Sequence, residues 1–186
     1  MTKAKRELMD AKAMDEALHG IAGAFLKRHQ ESLPLCALLG IRTRGVFLAE
    51  RLQAKIQETS GRRLPLGILD ITLYRDDLTM IGPNPIVKST EIQFSLDDKF
   101  ILLVDDVLFT GRTIRAALDE LVDFGRPKRI ELAVLIDRGH RELPIAADYA
   151  GLRLETAPGD NVHVMCRELE GEDRVVLEAT AQEKKR

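Results

Sequence analysis

Apolar residues recur in two distinct patterns along the chain. From Asp10 to His29, Met14, Leu18, Ile21 and Phe25 return at three- and four-residue spacing, which lines them up on one face of a helix. Asp10 carries a short carboxylate able to accept from the first free N–H groups, and so is placed to cap that helix. A second stripe, Val46, Ala49, Leu52 and Ile56, predicts a helix over 45–58, and Thr113 to Phe124 reads as a third. Between them lie unbroken apolar runs, Leu35 to Ile41, Leu66 to Leu73, Phe100 to Val104 and Ile130 to Ile136. Such runs suit strands covered on both faces. Further short strands are predicted at Val162–Cys166 and Arg174–Leu177, and Gly61 and Pro65 bound a loop. From Tyr74 to Thr90 the periodicity disappears, in a stretch with Asp76, Asp77, Gly82, Pro83, Asn84 and Pro85. Compact domains seldom keep so long a loop without a use.

Alternating buried strands and amphipathic helices imply an α/β fold, with a mostly parallel central sheet flanked by helices. Ligands collect at the carboxyl ends of strands in such sheets. The loops Gly40–Gly45, Tyr74–Thr90, Asp105–Thr113 and Asp137–Leu143 are therefore where function is expected. A length of 186 residues fits one domain, and 45% hydrophobic residues exclude a disordered composition. A net charge of −2 gives no whole-protein reason to expect nucleic acid, although a local basic cluster would suffice to bind it. Cys36 and Cys166 lie in or beside apolar stretches and read as buried thiols, without CxxC spacing. His19, His29, His140 and His163 are scattered and show no metal-ligand spacing. No run of about 18 apolar residues is present, and Met1 to Asp10 is too charged for a signal peptide. A cytoplasmic protein without membrane contact is expected.

Residues 101–113, Ile-Leu-Leu-Val-Asp-Asp-Val-Leu-Phe-Thr-Gly-Arg-Thr, carry the most specific chemistry. An apolar strand ends in two carboxylates, followed by Thr110, Gly111, Arg112 and Thr113 and the start of a helix. Main-chain N–H groups at a helix N-terminus attract phosphate, and a glycine lets the backbone come close. The hydroxyls of Thr110 and Thr113 add donors. Asp105 and Asp106 accept hydrogen bonds, which suits the vicinal hydroxyls of a ribose. The plain alternative is a tight turn with an exposed acidic pair. A response-regulator receiver domain also places Asp-Asp after an apolar strand, but near its N-terminus. A Walker A loop would need Gly-Lys-Ser/Thr at a spacing absent here.

This segment resembles the phosphoribosyl pyrophosphate (PRPP) motif of type I phosphoribosyltransferases. A wider resemblance covers nearly the whole chain. Gly40-Ile-Arg-Thr-Arg-Gly45, Asp70-Ile-Thr-Leu-Tyr-Arg-Asp-Asp77, the PRPP motif and Asp137-Arg-Gly-His-Arg-Glu-Leu-Pro144 stand in the order and spacing of the PyrR family. Proteins of that family resemble uracil phosphoribosyltransferases and also regulate pyrimidine operons by binding leader mRNA. The resemblance implies a single phosphoribosyltransferase domain over residues 1–186, with a small hood built from residues 137–178 and the N-terminal helix. It implies conversion of uracil and PRPP to UMP and pyrophosphate in a homodimer or larger homo-oligomer. Mg²⁺ would be held mainly through PRPP, with no dedicated protein cage. Val104, Asp105, Asp106, Val107, Leu108, Phe109, Thr110, Gly111, Arg112 and Thr113 would bind the ribose phosphate. Thr43 and Arg44 would meet the pyrophosphate, with Arg44, Asp105 and Asp106 as the catalytic group. Arg75 and Lys88 would act from a mobile loop, and groups near Arg138 and Val162 would bind the base. His140 is open between a base contact and a hood or interface residue.

Phe109 stands where purine transferases of this class commonly carry an acidic residue, which favours uracil and leaves the proton on uracil N1 without an assigned base. The regulatory half of the resemblance implies a basic face built partly from the first helix and partly from the stretch after the hood. Lys27, Arg28 and Arg141 are the candidate RNA contacts, but Pro144 to Leu152 contains no Lys or Arg. The basic end of the first helix also has a plain reading, since helix C-termini favour cations. The alternatives are a salvage enzyme that has lost RNA binding, or a purine phosphoribosyltransferase.

Overall fold

The computed structural model describes residues 4–72 and 89–180. Five strands, β2 (Cys36–Ile41), β3 (Leu66–Leu69), β4 (Phe100–Leu108), β5 (Arg129–Asp137) and β6 (Tyr149–Arg153), form one sheet in the order β3-β2-β4-β5-β6. Every neighbouring pair in it is parallel. A second, antiparallel sheet joins β1 (Ala4–Met9), β8 (Arg174–Ala179) and β7 (Asn161–Met165) in the order β1-β8-β7.

The unbroken apolar runs follow from helices on both faces of the parallel sheet. Along β2, Cys36 and Leu38 face one core cluster while Ala37, Leu39 and Ile41 face the other. The first cluster takes in α1 (Ala11–Arg28) and α2 (Arg44–Ser60) through Met14, Leu18, Ile21, Phe25, Leu48 and Leu52. The second takes in α3 (Arg112–Leu121) through Ile114, Ala117 and Leu121. Asp10 caps α1 as expected, accepting from Ala13 N–H at 2.8 Å. Gly61, at φ 70°, closes α2 in a left-handed conformation that glycine adopts without strain. Both cysteines are buried and unpaired, and burial pushes each thiol up to about 11.

The boundaries that depart most from the sequence expectation are three. Strand β4 continues through Leu108, so the two carboxylates lie within a ladder that pairs Asp105 with Val134 and Leu108 with Asp137. Strand β3 stops at Leu69, and Leu73 lies outside the described residues. Helix α3 ends at Leu121, where a 3-10 turn over Val122–Phe124 takes over. Strands β1 and β6 were not expected. Strand β1 is an edge strand rich in charge, with Met9 as its buried anchor, so it shows no apolar run. Strand β6 is short and holds Gly151, where a Cβ would stand 2.8 Å from the Leu135 carbonyl oxygen. The expected hood segment 137–178 therefore divides. Strand β6 belongs to the parallel sheet, and β7 and β8, joined by a short helix α4 (Arg167–Glu170), belong to the second sheet. The first helix packs on the parallel sheet, and it is the strand before it that joins the second.

Candidate active site

The carboxyl ends of β2 and β4 lie side by side, and close backbone contact sets what projects from them. A Cβ built on Gly45 would stand 2.5 Å from the Val104 carbonyl oxygen and 3.2 Å from Asp105 Cα. One on Gly40 would stand 2.5 Å from Val46 Cα. Only glycine fits at either place, so the 40–45 turn rests directly on the end of β4. The peptide between Arg42 and Thr43 within this turn is cis.

That contact builds a cleft of about 300 Å³. Six of the expected residues meet there: Thr43, Arg44, Asp105, Asp106, Val107 and Thr113. Arg42, expected to supply positive charge in the Gly40–Gly45 loop, and Ile71, which was not singled out, complete the lining. A larger cleft of about 600 Å³ continues from Arg44 and Asp106 to Val162 and the charged face of the second sheet, including Lys5, His163, Arg174 and Glu178. Arg44 and Asp106 line both clefts and so mark the passage between them.

Asp105 is 6% exposed, and its Oδ1 accepts from Asp106 N–H at 2.9 Å. Asp106 Oδ1 in turn accepts from Val107 N–H at 2.8 Å. Burial, reinforced by the charge of Asp106, pushes the Asp105 carboxyl well above the usual carboxylate range. Two adjacent carboxylates thus stand at the strand end, with burial and the neighbouring charge favouring the protonated form of Asp105. Val104 and Leu108 are buried, so only their main chain can serve a ligand. Gly111 has φ 94°, a left-handed conformation that turns the chain from β4 into α3. Gly111 at the N-cap has no side chain to cap α3, so apart from Arg112 N–H the first-turn N–H groups are left directed at the turn. Thr110 Oγ1 accepts from Arg112 N–H at 3.3 Å, while the Arg112 side chain reaches away to Glu142 Oε2 at 2.7 Å.

The positive groups divide between protein and cleft. Arg42 pairs with Glu91 at 2.9 Å, and Arg44 with Glu170 at 2.5 Å. The Nε of each is buried without a hydrogen-bond partner among the described residues. Thr43 is exposed, and its hydroxyl makes no cap to α2. Arg75 and Lys88 lie outside the described residues.

Other expected residues are built into the protein. Arg138 is 5% exposed, and its guanidinium lies 4.1 Å from the Phe109 ring centroid. Its Nε donates to Thr156 Oγ1 at 3.2 Å, and its main-chain N–H to the Leu108 carbonyl at 3.1 Å. Burial lowers its pKa, against the charge of Asp160. Arg138 lines neither cleft, so of the two expected base contacts only Val162 borders the open space. His140 packs edge-on to Phe109 at 6.0 Å and bonds the Thr156 carbonyl through Nε2. Arg141 donates to the carbonyls of Phe109 at 2.7 Å, Gly139 at 2.9 Å and Ile145 at 2.9 Å, and to the Asp137 carboxylate. It clamps the turn after β4 to the following loop. Arg28 bridges Glu131 and Asp148 at 3.2 Å each beside the Tyr149 ring. Lys27 and Arg28 are both exposed, and of the three basic candidates Lys27 makes no ion pair with the described residues.

For Mg²⁺ the donor set is small. Among the described residues, no three His, Cys, Asp or Glu side chains gather into a metal-holding group. Asp105 and Asp106 fit an ion that arrives on a substrate and is touched through water or ribose hydroxyls.

The comparisons with known proteins agree with this geometry. The family described as "Phosphoribosyl transferase domain" matches residues 11–168. "Bifunctional protein PyrR" of Pelotomaculum thermopropionicum is 52% identical over 182 residues, covering 98% of this chain and 100% of that protein. The protein of the same name from Thermus aquaticus is 55% identical, over 93% of this chain and 95% of its own length. Among solved structures, a hypoxanthine phosphoribosyltransferase of Trypanosoma cruzi superposes with a TM-score of 0.72 at 17% identity, covering 96% of both chains. One from Staphylococcus aureus gives 0.68 at 20% identity, over 95% of this chain and 93% of its own. Similarity at that level establishes the fold alone. The chain belongs to the PyrR family, within the phosphoribosyl transferase domain family.

Proposed function

We propose that this protein transfers the phosphoribosyl group of PRPP to uracil, giving UMP and pyrophosphate, and that with bound uridine nucleotide it attenuates transcription of pyrimidine genes by binding their leader mRNA. The observation that carries the enzymatic half is the single cleft uniting Thr43, Arg44, Asp105, Asp106 and Thr113. The first-turn N–H groups of α3 and the hydroxyls of Thr110 and Thr113 hold the 5-phosphate. Asp105 and Asp106 receive the two ribose hydroxyls and set a negative charge beside the anomeric carbon, where positive charge develops as the leaving group departs. Thr43 and the guanidinium charge of Arg44, which line the same cleft, meet the pyrophosphate. Mg²⁺, when bound, neutralises the departing pyrophosphate. Uracil lies towards Val162 in the larger cleft, which borders both Asp106 and Arg44.

The choice of uracil over a purine rests on Phe109 and on the family. The Phe109 ring lies between the face of Arg138 and the edge of His140, and it has no proton to exchange with a purine. For the regulatory half, Lys27 remains the free phosphate contact on α1, while Arg28 and Arg141 serve internal partners. RNA affinity would then depend on few ionic contacts. The working surroundings are the cytoplasm, and the working form a homodimer or larger homo-oligomer.

Three experiments bear on these assignments. Purified protein with Mg²⁺ and PRPP converts uracil to UMP, followed by product chromatography; turnover of hypoxanthine with none of uracil contradicts the assignment. Replacing both Asp105 and Asp106 by Asn lowers kcat/KM for PRPP by roughly a hundredfold or more, as for loss of charges aimed at a transition state. The circular dichroism spectrum should remain parental; turnover near the parental level would remove the ribose role. UMP tightens binding to a cognate pyrimidine leader RNA in a gel-shift titration at physiological salt. Weak binding that ignores sequence and UMP would instead identify a salvage enzyme without regulation.

A further inference from the structure

Thr90 and Glu120 lie outside the phosphate, pyrophosphate and base segments, yet they meet beside the catalytic cleft. Thr90 Oγ1 donates to Glu120 Oε1 and accepts from Asp70 N–H at 2.9 Å. A hydroxyl has one proton, so that proton is committed to Glu120 and a lone pair to the Asp70 main chain. Glu120 stands on the buried face of α3 and is 3% exposed. Its other oxygen, Oε2, is buried without a hydrogen-bond partner among the described residues. Burial pushes this carboxyl up; the Thr90 hydroxyl opposes the shift, and the charges of Asp70 and Asp123 add to it. A half-satisfied buried carboxyl is costly in a helix face otherwise lined by Ile114, Ala117 and Leu121.

What Glu120 gains is a fixed link between two walls of the site. At one end, α3 is the helix whose first turn closes the phosphate loop. At the other, Asp70 immediately precedes Ile71, which lines the cleft with Thr43, Arg44 and Asp105. Neighbouring contacts hold the same stretch against β3. Glu91 exchanges two main-chain hydrogen bonds with Ile68, each 2.9 Å, and takes Arg42 at 2.9 Å. Those contacts fix Glu91 along the sheet edge, while the Thr90 hydroxyl carries the connection across to α3.

We infer that Glu120 is a positioning residue for phosphoribosyl transfer, acting through the Thr90 hydroxyl to hold the Asp70–Ile71 main chain at the PRPP cleft. The inference rests on the assignment of that cleft to PRPP and adds two residues which the family motifs do not contain. Thr90 is only partly buried, so Thr90→Ala removes the hydroxyl without opening the core.

The test is the dissociation constant for Mg²⁺–PRPP, measured by calorimetry on the full chain together with the melting temperature. Thr90→Ala and Glu120→Ala each weaken PRPP binding roughly tenfold, and the double variant is no weaker than either single one, as expected when both act through one linked contact. Thr90→Ser and Glu120→Gln keep a donor and an acceptor in place and stay within about twofold of the parent. A lowered melting temperature with PRPP affinity unchanged in both alanine variants overturns the inference and leaves a purely structural contact. So does a double variant whose losses add. Uracil turnover by the parent, run alongside, keeps the two questions apart. A parent that binds PRPP but leaves uracil unchanged refutes the uracil assignment, while the dissociation constants still decide the role of Glu120.

Discussion

The site depends on one steric fact, the seating of the Gly45 backbone against the carbonyl of Val104, where a Cβ would come within 2.5 Å. Because nothing separates the 40–45 turn from the end of β4, Thr43 and Arg44 share a cleft with Asp105 and Asp106. A larger residue at that contact would push the turn away and pull the cationic and anionic groups apart. The parallel pairing of β2 with β4, with Gly40 opposite Val104, fixes the register of this approach. Two buried clusters hold the sheet from both sides, so the strands cannot easily slide to relieve it.

Around that contact, the charged residues separate into those that build and those that bind. Arg141 uses its planar fork of donors on the carbonyls of the phosphate turn and the adjoining loop, a task for which lysine has the wrong geometry. Arg138 covers Phe109, and Arg28 meets the buried Glu131, whose carboxylate also binds His29 at 2.9 Å and the Tyr149 hydroxyl at 2.7 Å. Burial raises the proton affinity of Glu131, but the hydrogen bonds of His29 and Tyr149 and the charges of His29 and Arg28 outweigh it and hold the group below its usual value. Arg42 and Arg44 line the cleft while each also pairs with a carboxylate. The same residue type therefore joins folded segments in one place and borders the cleft in another.

Much of this was legible in the sequence, for physical reasons that differ by element. The three helices and the four central strands were visible because burial on one face or two leaves a period of its own. The Asp105–Asp106 pair and the Thr110–Thr113 turn stood out because an apolar strand ends there in unlike polar groups at close spacing, and Asp105, Asp106 and Thr113 do line one cleft. Strands β1 and β6 were hidden, since an edge strand of charged residues and a short strand around Gly151 bury too little to leave a pattern. The continuation of β4 past its apolar run was hidden because the two carboxylates interrupt the pattern, while pairing with β5 and the packing of Val107 and Leu108 carry the strand on. The fates of Arg138 and Arg141 were illegible for a further reason. Their partners, Thr156, Phe109 and Ile145, are reached only through the folded loops.

The central claim is that one cleft at the ends of β2 and β4 holds the phosphate, the ribose and the pyrophosphate of PRPP together. A crystal structure of the protein with Mg²⁺ and PRPP tests it most directly. The account predicts the 5-phosphate on the main-chain N–H groups of residues 110–113, the ribose hydroxyls on Asp105 and Asp106, and the pyrophosphate on Thr43 and Arg44. PRPP bound elsewhere, or bound here with its ribose hydroxyls turned away from the two carboxylates, would contradict it.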